Sequence, residues 1–294
     1  MRRQLLCVLL FALPVAACAG LMNALEQATD ENSAEGKLIR GANRLRKSFQ
    51  DLDPSEEHFI GRSVAAQILA MPQYPLSEDE TLIAYVEKVG HGIVATNDGV
   101  RRPFLDYRFG VLATDEVNAF ACPGGIVLVT RGLLANTKNE EELAAVLAHE
   151  IAHVTLRHGV AAIQQANLAE AFTYLGAGAA QATMSREDLD KLTGLFDDSV
   201  GEIVQTLVTS GYSRDAEMEA DRLGREFLAG TGYDPQALAS VLGCMHDHGG
   251  SGGMFATHPA PSERAQALGG PLSFAGDPTG LAVRSKRYAA AFRR

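Results

Sequence analysis

The stretch Asn139-Glu140-Glu141-Glu142-Leu143-Ala144-Ala145-Val146-Leu147-Ala148-His149-Glu150-Ile151-Ala152-His153-Val154-Thr155-Leu156-Arg157-His158-Gly159 decides how this chain is read. Its pattern predicts one amphipathic helix over 139–159. Asn139 is a good N-cap, and Glu142 three residues on completes a capping-box pattern. Three glutamates stand at the positive end of the helix dipole, while Arg157 and His158 stand at the negative end. Gly159 suits the residue just past the last turn. Leu143, Val146, Leu147, Ile151 and Val154 form an aliphatic stripe. His149 and His153 lie one turn apart, so both rings project from one face toward a single metal ion. Glu150 sits about a third of a turn round from His149. From there its carboxylate reaches water on such a metal without being a ligand.

This is the H-E-x-x-H pattern, and its context rather than the bare match gives it meaning. A hydrolytic zinc site needs three protein ligands and one open position. Tyr212-Ser213-Arg214-Asp215-Ala216-Glu217-Met218-Glu219-Ala220-Asp221-Arg222-Leu223-Gly224 supplies the third. Ser213 is an N-cap and Asp215 suits the first turn. Glu217 and Asp221 share a face, whereas Glu219 points largely the other way. Glu217 is assigned as the ligand. Asp221 is placed to accept the free ring N–H of a ligand histidine. Gly224, on the same side, allows close approach of the two helices. The competing reading is a surface acid cluster with Asp221 paired to Arg225 at i+4.

The front of the chain is a processing segment. Arg2 and Arg3 precede the apolar run Leu5–Leu13, and Val15-Ala16-Ala17-Cys18 supplies small residues at a cleavage point. The run is short for a bilayer span. Its ending resembles a bacterial lipoprotein signal, which implies cleavage before Cys18 and lipidation of that thiol; the alternative is an ordinary secretory signal. By the same resemblance, Ala19 in place of Asp favours the outer membrane. Removing residues 1–17 shifts the formal charge from −10 to −12, because Arg2 and Arg3 go with them. An acidic chain argues against nucleic acid as a partner. Two cysteines remain besides Cys18. Cys122 and Cys244 either form a disulfide or lie as separate buried thiols.

Residues 18–50 read as a tether and 51–270 as one folded domain. A helix starts at Asp53-Pro54-Ser55-Glu56-Glu57 and runs to about Ala70. A second is capped at Ser77 with Glu80 in the capping-box position, and fades at Asn97-Asp98-Gly99. Three strand-like segments follow, 104–113, 117–121 and 126–130, with Cys-Pro-Gly-Gly as a turn between the last two. They predict a small antiparallel sheet just before the metal helix. An exposed strand there pairs with an extended peptide through backbone hydrogen bonds; the other possibility is that the strands only pack beneath the helix. Residues 168–182 are nearly uncharged but too few to span a membrane, and read as a buried or lid helix. Met184–Ser210 is amphipathic. Residues 271–294 read as a C-terminal tail.

His149–His153, Glu217–Gly224 and the segment Asn118-Ala119-Phe120-Ala121-Cys122-Pro123-Gly124-Gly125-Ile126-Val127-Leu128-Val129-Thr130-Arg131-Gly132-Leu133-Leu134 together resemble the HtpX/BepA/LoiP-type zinc metallopeptidases, the forty-eighth metallopeptidase family. That family shares a gluzincin-like fold with the CAAX prenyl proteases. The match covers roughly residues 50 to 270. The resemblance implies an α+β, mainly helical, zincin-like domain with the small sheet beside the H-E-x-x-H helix. It implies one Zn2+ per subunit on His149, His153 and Glu217, with Glu150 as catalyst and Asp221 assisting. It also implies that Asn118, Ala119, Phe120 and Ala121 contribute to a substrate-binding strand. The expected substrates are unfolded or misassembled envelope polypeptides, with the outer-membrane assembly machinery as a further partner and the membrane reached through the lipid anchor. A periplasmic chaperone with its zinc plugged is the alternative function. Cys122 departs from the aliphatic residue expected there. The chain has neither the helical-repeat region nor the pair of membrane helices found in some members, and the lipoprotein subgroup fits best.

One late segment adds a control element. The glycine-rich run 244–253 precedes Thr257-His258-Pro259, and Arg264 follows. In some relatives the matching histidine sits on a loop that covers the zinc and takes its fourth position. His258 is therefore read either as a movable plug or as the cap of a turn. His258 and Arg264 are also candidates for stabilising the oxyanion. His246 and His248 read as solvated, His158 as a helix-end residue, and His58 and His91 have no constellation around them.

Overall fold

The computed structural model describes residues 52–161, 186–247, 257–258, 261–268 and 278–292. The signal segment, Cys18, the tether, the run 168–182 and His248 lie outside the described residues, as does most of the glycine-rich run. No helix among the described residues is long and apolar enough to cross a membrane.

Helix α1, Pro54–Leu69, begins as the sequence predicts. The Asp53 side chain accepts from the backbone N–H groups of Ser55 and Glu56, and Glu56 returns the contact to Asp53. Helix α2, Glu80–Thr96, starts later than its pattern suggests. Asp79 caps it by accepting from Leu82 N–H, and Ser77 Oγ instead accepts from Asp79 N–H.

Strands β1 (Arg108–Leu112), β2 (Ala119–Cys122) and β3 (Ile126–Thr130) form one sheet in the order β1-β3-β2. The expectation of a wholly antiparallel sheet is corrected here. β2 and β3 pair antiparallel, but β1 lies parallel to β3 on its other side. The cause is the connection 113–118, which crosses the end of β3 instead of turning back as a hairpin. Gly132 N–H donates to Thr114 there, and a Cβ on Gly132 would stand 2.1 Å from the Asp115 carbonyl oxygen. The β2–β3 turn is a 3-10 turn, Pro123–Gly125. Gly124 has φ +70°, and a Cβ on it would lie 2.6 Å from His58 Cα, so α1 is seated directly on this turn.

A short helix α3, Arg131–Asn136, capped by Thr130, leads into α4, Glu140–Thr155. Helix α4 holds the histidine pair and is buried on every face from Glu140 to Val154. It is the central helix rather than a one-sided amphipathic one. Its polar side is not solvated because it is occupied by a cluster of titratable residues at one end and by bonded glutamates at the other. The glutamates anchor α2, the connection that carries Tyr233, and the later helices Ala237–Asp247 and Pro278–Phe292. Glu140 accepts from the hydroxyls of Tyr85 and Tyr233 and pairs with Arg287. Glu141 pairs with Arg284, and Glu142 accepts from the Ser240 hydroxyl.

Helix α4 also ends earlier than expected. Its C-cap is Leu156, Arg157 adopts φ +61°, and a new helix α5, His158–Ala161, begins at once. Gly159 is therefore inside α5 rather than past the end of α4. The C-terminal half supplies α6 (Arg186–Gln205), a π-helical turn (Thr206–Ser210), α7 (Arg214–Thr231), α8 (Ala237–Asp247) and α9 (Pro261–Ala267). Ser213 caps α7 by accepting from Ala216 N–H, and Gly232 closes it with φ +83°. The segment read as a tail contains helix α10, Pro278–Phe292, whose Tyr288 and Phe292 pack on the core beside Tyr85.

Cys122 is a buried free thiol, and burial pushes its pKa up to about 12. The disulfide reading with Cys244 is corrected accordingly. β2 is buried along its whole length and carries the thiol inside with it, while Cys244 falls on α8.

Candidate metal centre

Helices α4 and α7 cross where Gly224 stands over Ala148 and His149. A Cβ on Gly224 would come within 3.2 Å of the His149 backbone nitrogen, so glycine sets the approach of the two helices. That approach brings Glu217, fully buried, against His149 and His153. The Nε2 atoms of the two histidines are 3.0 Å apart. Glu217 oxygens lie 3.5 Å from His149 Nε2 and 3.4 Å from His153 Nε2. His258 joins them, with its Nδ1 3.3 Å from His149 Nε2 and 2.9 Å from Glu217. One ligand atom from each of the four residues lies within 4.8 Å of all the others.

These spacings decide what the cluster is for. Imidazole nitrogens facing one another cannot all be satisfied by hydrogen bonds among themselves, because each neutral ring has one donor. Four ligands at about 2.0–2.2 Å round a tetrahedral zinc have edges of roughly 3.3–3.6 Å, and the separations of 3.3, 3.4 and 3.5 Å in the cluster fall in that range. The donor set of three imidazoles and a carboxylate is one that zinc takes. The residues fit the ion.

The electrostatics agree. Burial opposes charge on Glu217, yet His258, His149 and His153 together hold its carboxyl well below the usual range. Burial opposes protonation of His149, but Asp221 and Glu217 reverse that and lift its pKa to about 9. His153, more weakly supported, is held well below the ordinary imidazole value by burial. Glu217 is thus held ionised among the imidazoles, the form in which a carboxylate binds a metal.

Asp221 does what its place on α7 suggests. Its Oδ1 is 3.0 Å from His149 Nδ1, which sets a carboxylate beside that ring nitrogen and leaves Nε2 for the cluster. Asp221 is held in turn by Arg264, whose Nε and Nη2 donate to the two carboxylate oxygens at 2.7 and 2.6 Å. The third nitrogen, Nη1, lies 2.5 Å from Glu217. Burial works against ionisation of Asp221, but Arg264 and His149 bring its pKa down to about 2. The suggestion that Arg264 meets the oxyanion is corrected by this geometry. Its guanidinium is wholly engaged in balancing two buried carboxylates.

Glu150 is fully buried, and neither of its oxygens has a hydrogen-bond partner among the described residues. Its nearest cation-forming neighbour is His258 Nε2 at 3.7 Å. Burial raises its pKa above the usual carboxylate value. Asn118 is buried too, and its side chain does not face outward to a substrate. Its Oδ1 accepts from the Thr257 hydroxyl while Thr257 O accepts from Tyr212 N–H, so Asn118 helps seat the Thr257-His258 pair. Ala119, Phe120 and Ala121 form β2 itself, whose far edge carries no strand among the described residues.

Three residues of the centre escape the sequence reading. The Tyr212 ring stacks on His153, with centroids 4.2 Å apart and planes at 17°. His158 Nδ1 meets His153 Nδ1 at 2.9 Å, and Glu219 lies 3.5 Å from His158 Nε2. The left-handed residue at Arg157 turns His158 back toward α4, a bend that helix periodicity does not show. His246 lies on α8.

The family model for peptidase family M48 matches residues 82–272. The chain belongs to this family. Among curated M48-type relatives, the chain is 36% identical over 195 residues to the beta-barrel assembly-enhancing protease of Yersinia pestis, covering 65% of this chain and 39% of that protein. It is 32% identical over 197 residues to the protein of the same name from Escherichia coli K12, with the same coverage. It is 32% identical over 167 residues to the metalloprotease YcaL of Escherichia coli K12, covering 54% of this chain and 60% of that one. The chain thus spans about two fifths of the length of the assembly-enhancing proteases it matches.

Proposed function

We propose that this chain is a zinc-dependent metalloendopeptidase of the bacterial cell envelope, hydrolysing misfolded or unassembled envelope proteins in quality control and outer-membrane protein assembly. The observation that carries the reading is the buried, unpartnered Glu150 carboxylate beside a ligand set of His149, His153 and Glu217. A structural zinc site has no need of such a base. Membership of family M48 and the names of the relatives support the envelope role. The signal-like front end supports a periplasm-facing lipoprotein anchored through Cys18 in the outer membrane.

When bound, zinc polarises a carbonyl and lowers the pKa of water toward about 7. His149, His153 and Glu217 would hold it, with Asp221 beside the His149 ring. Glu150 takes the proton of the attacking water and passes it to the leaving amine. Its burial keeps the carboxylate basic enough for that task. β2 is the edge strand of the sheet among the described residues but is buried along its length, so backbone pairing with an extended polypeptide there requires that edge to be uncovered first.

His258 is the control. With its Nδ1 among the other three ligand atoms, it completes a four-ligand set and closes the position that hydrolysis needs. The resting chain is then a plugged enzyme, and a chaperone with little proteolysis is the second reading. The test is hydrolysis of unfolded casein at equal zinc content. The wild type is expected to cleave, Glu150→Gln to bind zinc but lose more than about a hundredfold in rate, and His258→Ala to turn over faster. Equal cleavage by wild type and Glu150→Gln ends the peptidase reading; unchanged or lower turnover in His258→Ala ends the plug.

A further inference from the structure

The far side of the metal cluster holds a chain of contacts that the peptide-hydrolysis scheme does not use. His153 presents Nε2 to the cluster, so its proton must sit on Nδ1. The atom that meets it is His158 Nδ1, 2.9 Å away, with the ring centroids 4.9 Å apart at an interplanar angle of 70°. The contact is made inside the protein, for both histidines are buried. Only one of two facing nitrogens can carry the hydrogen. His158 must therefore accept on Nδ1 and carry its own proton on Nε2. That nitrogen points to Glu219, whose carboxylate lies 3.5 Å away and is 60% exposed.

We propose that His158 is a positioning residue for the metal site, accepting the Nδ1–H of His153 and thereby fixing the tautomer that offers Nε2 to zinc, with Glu219 fixing His158 in turn. The inference rests on the zinc reading above. His149 is oriented by a carboxylate, Asp221, but among the described residues it is an imidazole, not a carboxylate, that meets the His153 Nδ1. An imidazole backed by a surface glutamate takes that place. The local fold is arranged to deliver it. Arg157 in the left-handed region reverses the chain after α4, and α5 starts with His158 facing back. Tyr212 covers the His153 ring on its flat side, leaving the Nδ1 edge to His158. Glu219, two residues past the ligand Glu217, reaches the same chain from α7.

Partners of ligand histidines typically contribute 10–100-fold in metal affinity. The experiment is zinc affinity by chelator competition on the full chain. His158→Phe keeps a ring beside Tyr212 but has no acceptor, and is expected to weaken zinc binding by about 10–100-fold. His158→Asn places a carboxamide oxygen near the old Nδ1 position and is expected to recover most of the loss. Zinc held by His158→Phe as in the wild type, or by His158→Asn no better than by His158→Phe, overturns the proposal. Nitrogen-15 spectra of the zinc-loaded wild type decide it even if a variant does not fold. His158 is expected with a bare Nδ1 and a protonated Nε2, and a proton on Nδ1 overturns the assignment. Failure of the wild type to bind zinc at all is a separate result and removes the metal reading itself.

Discussion

Arg264 shows how much of this site is charge balance at single residues. It is buried and pairs with both Asp221 and Glu217. Removing one partner of a buried pair leaves an uncompensated charge and costs about 3–5 kcal/mol. Arg264→Leu is therefore expected to lower the urea unfolding free energy of the metal-free chain by about that amount. Saturating zinc should narrow the difference, since the ion supplies positive charge beside Glu217. An Arg264→Leu chain as stable as wild type without metal would contradict the assignment. The ligands themselves were legible in sequence because each pair is a one-turn repeat on a capped helix: His149 with His153, and Glu217 with Asp221. Arg264 could be noticed but not given its role, because its partners lie 43 positions or more away in the chain and only packing joins them. The direction of the His158 ring is not legible in the sequence, because a backbone turn at Arg157, not a period, sets it.

At the scale of elements, the N-terminus of α4 gathers its neighbours through Glu140, Glu141 and Glu142. In the sequence these read as acids at the positive end of the helix dipole. Their burial follows from what reaches them: tyrosines from α2 and the α7–α8 connection, and arginines from α10. Burial first, and then the Glu140 carboxylate, raises the pKa of both Tyr85 and Tyr233 above the ordinary phenol value. A group whose folded pKa is raised contributes stability that is present below its unfolded pKa and is lost as pH climbs toward the folded value. The stability from these hydroxyls is thus intact below about pH 10 and falls above it. Urea unfolding between pH 9 and 11 is expected to show a steeper loss for the wild type than for Tyr85→Phe/Tyr233→Phe. Parallel curves would contradict the account. The sheet teaches a related lesson. The Cys-Pro-Gly-Gly turn is visible in sequence, but the parallel placement of β1 depends on where the 113–118 connection crosses, and the chain pattern is silent on that.

Across the described residues, the strands and α2 share one apolar core with α4, α7 and α8. The mainly helical α+β architecture with the sheet before the metal helix follows from the order of patterned segments, so it could be read early. Helix α10 could not, because its anchors are ion pairs to residues about 143 positions earlier. Everything in this arrangement converges on one claim, that a zinc ion sits among His149, His153, Glu217 and His258. X-ray absorption at the zinc edge of the zinc-loaded chain tests it most directly. The account predicts one zinc with four nitrogen or oxygen ligands at about 2.0–2.2 Å, imidazoles among them. A sulfur at about 2.3 Å, which would bring Cys122 into the shell, or a six-oxygen environment would contradict it.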